Sequence, residues 1–133
     1  MKTKTALLTS LMILFFTVAN AQDVSMTVNL NVIERFAIAS LLPENASFAT
    51  WGILNELRLE LSPTDAELKL VDPQQTADGK ITGKWDAVPK KEIVFGSTAE
   101  KIIADALRKM DSEGNLLAEH LSIYKKFVIK ENK

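Results

Sequence analysis

The chain has 133 residues, 25% of them charged, one histidine and no cysteine. Without thiols there can be no cysteine nucleophile, zinc–thiolate site or iron–sulfur cluster, and packing rather than disulfides must hold the fold. With the two lysines of the N-terminal 21 residues set aside, fourteen basic residues face seventeen acidic ones, about −3. That balance speaks against nonspecific nucleic-acid binding, which rests on phosphate neutralisation, and against an anionic membrane surface.

The N-terminus is laid out as a secretory signal peptide. Lys2 and Lys4 precede an apolar run of 13 residues, Ala6 to Val18, and Ala19-Asn20-Ala21 follows as a small-x-small cleavage pattern. Cleavage between Ala21 and Gln22 is expected, leaving 112 residues in the periplasm or outside the cell. The run is shorter than the roughly 20 residues a transmembrane helix needs. The predicted partition is a signal peptide over 1–21, a leader or edge strand over 22–29, one globular domain over 30–128 and a charged tail over 129–133.

A first helix is predicted from Leu30 to Leu42, with Ile33, Phe36, Ala37, Ser40 and Leu41 on its buried face and Pro43 as its stop. Ser47 caps a second, Phe48 to Leu61, whose inner face carries Trp51, Leu54, Leu57 and Leu61. Ser62-Pro63-Thr64-Asp65 starts a short third helix, with Ser62 as cap and Pro63 as first helical residue. Leu68 to Asp72 and Lys80 to Trp85 then alternate as strands around the Asp78-Gly79 turn. Lys91 to Phe95 is a third strand pointing Ile93 and Phe95 one way. Ser97 and Glu100 form a capping box before a stripe of Ala99, Ile102, Ile103, Ala106, Leu107 and Met110, with Gly114 past the end. A last helix, Leu117 to Phe127, shares Leu117, Leu121, Tyr124 and Val128 on one face.

The fold class is therefore α+β and mainly α. About five short helices carry a small antiparallel β-ribbon of two to three strands after the third helix, in winged-helix-like order. The expected core joins Phe36, Leu41, Trp51, Leu54, Leu57, Leu61, Ile103, Leu107, Leu121 and Tyr124.

Five pieces of the sequence carry a family resemblance. They are Glu34-Arg35 on the first helix, Leu42-Pro43 with Phe48, the Ile81 to Trp85 strand, Glu92 to Phe95, and Leu121-Ser122 to Phe127. In these the chain resembles a group of small uncharacterised proteins of phages, prophages and bacteria. The resemblance spans roughly residues 30–127 and implies no activity or functional residue.

Candidate sites are few. His120 could act as a general base in a small hydrolase, but Ser122 and Tyr124 do not face it at helical spacing. Glu34 and Arg35, on an apolar helix, are either solvated charges or the organisers of a polar contact with another segment such as the last helix. Trp51, Trp85 and Phe95 are core aromatics or a platform for a sugar or peptide. Asn45-Ala46-Ser47 matches a glycosylation sequon. No catalytic set, metal site or cofactor is expected. The leading expectation is an exported, non-enzymatic interaction domain with a protein partner. The alternatives are a winged-helix-like nucleic-acid binder and a small hydrolase.

Overall fold

The computed structural model describes residues 24–131. The expected signal peptide, its Ala21–Gln22 cleavage site and the last two residues of the tail lie outside the described residues. The described chain is mainly α with small antiparallel strand pairs. Its elements are β1 (Val24–Leu30), α1 (Val32–Leu41), α2 (Phe48–Leu61), α3 (Asp65–Val71), β2 (Gln74–Gln75), β3 (Ile81–Thr82), β4 (Lys91–Gly96), α4 (Ser97–Ser112) and α5 (Leu121–Tyr124). One π-helical turn, Lys125–Ile129, continues α5.

The ordered domain begins earlier than Leu30, because the segment read as a leader or edge strand is β1. It pairs antiparallel with β4, setting Val28 opposite Ile93 and Met26 opposite Phe95. Val28 and Leu30 alternate with exposed Thr27 and Asn29, as a strand with one wet face requires. β4 thus joins β1 rather than the ribbon. The ribbon itself follows α3 as expected but is shorter, β2 pairing with β3 through Gln74–Thr82 and Gln75–Ile81. It breaks off where Trp85–Ala87 turns into a 3-10 helix and Trp85 packs on Val32, Val71 and Val88.

Local capping explains the helix bounds. Asn31, not Leu30, opens α1: its side chain accepts from the Glu34 amide at 2.8 Å, and Glu34 accepts from the Asn31 amide at 3.2 Å. Ser47 caps α2 through the Thr50 amide at 3.3 Å. Ser62 closes α2 instead of opening α3, its hydroxyl donating to the Arg58 carbonyl at 2.8 Å. Thr64 is the cap of α3, in a reciprocal box with Glu67. That box, and the left-handed Asp72 at φ 48° that closes the helix, hold Leu68–Val71 helical where alternation suggested a strand. The Ser97–Glu100 box does not form, because Ser97 is already helical and Gly96 is the cap. The Glu100 carboxylate instead accepts from Ser25 and from Lys130 Nζ.

The buried faces differ most from periodicity on α1 and at the C-terminal end, and on α2 Trp51 leaves the predicted inner face. In α1, Val32, Glu34, Arg35, Ala37 and Ile38 are buried, whereas Ile33 and Phe36 are about 40% exposed. At the C-terminal end Ile123 and Phe127 point inward and Leu121 is 55% exposed. The helix there starts as a 3-10 turn and ends as a π turn, so its inner face drifts away from the 3.6-residue stripe. β4 keeps its predicted face, with Ile93 and Phe95 buried, and on α4 Ala99, Ile103 and Leu107 are buried while Ile102, Ala106 and Met110 of the same stripe are half-buried.

The main core joins Leu30, Ile38, Leu54, Leu61, Phe95, Ile103, Leu107, Ile123 and Phe127. Phe95 and Phe127 meet edge to face at 5.0 Å. Of the expected core, Leu54, Leu57, Leu61, Ile103 and Leu107 are buried, while Phe36, Trp51 and Leu121 are exposed and Leu41 and Tyr124 are half-buried.

Candidate functional site

Glu34 and Arg35 are not solvated charges. Arg35 is fully buried, and its guanidinium is held bidentately by Glu67 of α3, Nη1 lying 3.3 Å from Oε1 and Nη2 closing on Oε2. Its Nε has no partner among the described residues. Glu34 is buried beside it and accepts from Lys126 Nζ at 2.6 Å. The contact with the last helical segment is therefore present, together with a second one to α3. Stripping water from such charges costs several kcal/mol per ion, so these pairs persist only because each charge meets a counter-charge. The Glu67 carboxyl is held below its usual range, first by the hydrogen bond from Arg35 and then by the bonds and charge of Thr64 and Arg35, against its own burial.

His120 is also buried, and its Nδ1 accepts from the Leu117 amide at 3.0 Å. That bond closes the turn leading into α5. The Arg35–Glu67 and Glu34–Lys126 pairs join separate segments and work as a fastener, whereas the His120 bond is local.

The three aromatic candidates are not brought together. Phe95 lies in the core, Trp85 meets Phe36 edge to face at 5.9 Å, and Trp51 is 45% exposed on α2. Asn45 is exposed in the turn before α2. Among the described residues no three His, Asp or Glu side chains gather as a metal ion would need. No helix among them is long and apolar enough to cross a membrane.

The surface feature that stands apart is a groove of about 780 Å³ between α2 and β4, ending at the start of α4. Its floor is core: Leu57, Phe95 and Ala99 line it and are buried. Its walls are apolar side chains that the core does not use, namely Ile53, Leu59 and Val94, with Leu59 70% exposed. Three carboxylates line it too, Glu56, Glu60 and Glu92, and no cation does. Lys91 stands just outside, 3.5 Å from Glu60.

The groove follows from local chemistry. The α2 stripe turns Leu54, Leu57 and Leu61 inward, which leaves Ile53 and Leu59 off the stripe and facing out. The β4 alternation leaves Val94 on the wet face. Sequence reasoning passed over these residues, although apolar side chains outside the buried stripe were the signal for them.

No known protein family, curated protein or solved structure matches the chain at a significant level.

Proposed function

We propose that this protein is an exported, non-enzymatic interaction domain that contacts a protein partner through the α2–β4 groove. The observation that carries this reading is the exposure of Ile53, Leu59 and Val94 above a floor of core residues. Apolar side chains clustered beside a concavity and rimmed by polar groups mark surfaces that are covered when they work. The histidine that a hydrolase would need is engaged by a backbone amide.

A nucleic-acid reader is supported less well. Arg58, the basic residue of α2, donates to the Pro43 carbonyl at 2.7 Å, and the open side of that helix carries Glu56 and Glu60.

Site-directed photo-cross-linking in the native host tests the reading. A photoreactive residue at position 59 should give a discrete protein adduct, and one at exposed Lys109 on α4 should not. No adduct at 59, or equal adducts at both positions, would contradict it.

A further inference from the structure

Two further facts bear on what fills the groove. The first is topological. β4 belongs to a two-stranded sheet in which β1 takes one edge, and no strand pairs with its other edge among the described residues. The open edge of a strand offers a row of main-chain donors and acceptors that an extended segment can complete. The groove runs along β4 from Glu92 to Gly96, so a segment lying in it lies beside that strand. The β1 side is already engaged, because Lys126 Nζ donates to the Asn29 carbonyl at 2.9 Å.

The second fact is electrostatic. Of the charged side chains lining the groove, all three are carboxylates. Among the described residues only Glu60 has a cation within ion-pair distance, Lys91, and that amino group also donates to the Glu60 carbonyl at 3.2 Å. Glu56 and Glu92 have no ion-pair partner among the described residues. All three carboxylates are exposed, so they draw a positive segment through a field that salt screens.

Resting on the groove as the working surface, we propose that its occupant is an extended segment of another protein, with apolar residues alternating with Lys or Arg, that adds to the sheet as a third strand beside β4. Alternation suits the site, because every second side chain of a strand points the same way. The apolar set would then face the Leu57–Phe95–Ala99 floor while the basic set meets the carboxylates at the rim. A second copy of the chain is a poorer fit, since it would bring the same three carboxylates against themselves.

The probe is a capped seven-residue peptide alternating Lys and Val, titrated against the protein expressed with its own leader and followed by fluorescence anisotropy. Saturable binding is expected, weakening as salt is raised. The Glu56→Lys/Glu92→Lys variant should bind at least tenfold more weakly, and so should a peptide with Glu in place of Lys. Two further Lys–Val peptides, one N-methylated at its valines and one at its lysines, keep their side chains but lose alternate main-chain donors, and the one whose lost donors face β4 should bind at least tenfold more weakly.

Absence of saturable binding would overturn the proposal, as would undiminished binding by both N-methylated peptides or by the charge-reversed variant. A dimer in sedimentation that Val94→Lys dissolves would overturn it in favour of a second copy. Adducts from position 59 with no Lys–Val binding would overturn this partner class while leaving the groove reading intact. Loss of both would remove the two together.

Discussion

Lys126 Nζ lies 2.6 Å from Glu34 Oε2, fastening the first helix to the last helical segment of the chain. The neighbouring residue, Arg35, reaches the other way to Glu67 on α3. Two adjacent charges on α1 therefore hold opposite parts of the domain, and α1 buries them where an apolar stripe would otherwise lie. The domain's polar interior is an assembly device, and the apolar groove lies elsewhere, between α2 and β4.

Removing the counter-charge from Arg35 should cost more than removing the pair. Glu67→Gln keeps a side chain able to cap Thr64 but leaves the buried guanidinium unpaired, and a loss of about 3 kcal/mol is expected. The Arg35→Met/Glu67→Met variant removes both charges and should stay within about 1 kcal/mol of the parent, part of that being the lost cap. Urea unfolding of the two variants and the parent measures this. A double variant less stable than Glu67→Gln would contradict it.

The same pair sets a pH dependence. Arg35 holds the folded-state Glu67 carboxyl below its ordinary value of 4.5. A depressed carboxylate contributes stability that is fully present above the unfolded value and lost as pH falls through the folded one. The gap in unfolding free energy between parent and Glu67→Gln should therefore be constant near neutrality. It should begin to close as pH drops past 4.5 and shrink further below it. A gap that stays constant into the acid range would show that the carboxylate is not what stabilises the pair.

Two glycine substitutions should act in opposite directions. A Cβ on Gly83 would sit 2.6 Å from Val71 Cγ1 and 3.2 Å from its carbonyl oxygen. Val71 is fully buried, and its carbonyl accepts from the Lys84 amide at 2.7 Å, so it has little room to yield. Gly83→Ala is expected to cost about 1–3 kcal/mol. Gly52, exposed within α2, has nothing within 4 Å of a new Cβ. Gly52→Ala is expected to stabilise by about 0.5–1 kcal/mol. Thermal unfolding of both reports the signs.

Much of the fold was legible because much of its signal is local. Ser47 and Pro43 bound α2 and α1 by chemistry within a few residues. The alternation of Ile93 and Phe95 marked β4, and the stripe through Ile103 and Leu107 marked α4. The β1–β4 pairing was not legible, since it joins distant segments and the alternation of Val24, Met26, Val28 and Leu30 with polar residues does not name the strand's partner. The face of α1 was misread for a related reason: burial of Glu34 and Arg35 depends on Lys126 and Glu67 arriving from elsewhere in the chain. At Ser62 and Ser97 the residue types for a cap were present, yet Thr64 and Gly96 took the caps one or two residues away. The groove was the least visible feature, because it consists of residues that a search for core stripes discards.

Export carries its own check. Protein recovered from its native cells should begin at Gln22 and fractionate with the envelope or the medium. A chain beginning at Met1 in the cytosol would contradict the proposed compartment, though not the groove.

The working role of the groove is tested most directly by the Ile53→Ser/Leu59→Ser/Val94→Thr variant, carrying its photoreactive residue at exposed Thr98 at the end of the groove. If these side chains serve a partner and not the fold, the three changes together should cost no more than about 1.5 kcal/mol of unfolding free energy, about 0.5 each as for ordinary surface changes, while the in-cell adduct disappears. An undiminished adduct, or an adduct lost only together with the fold, would contradict the account.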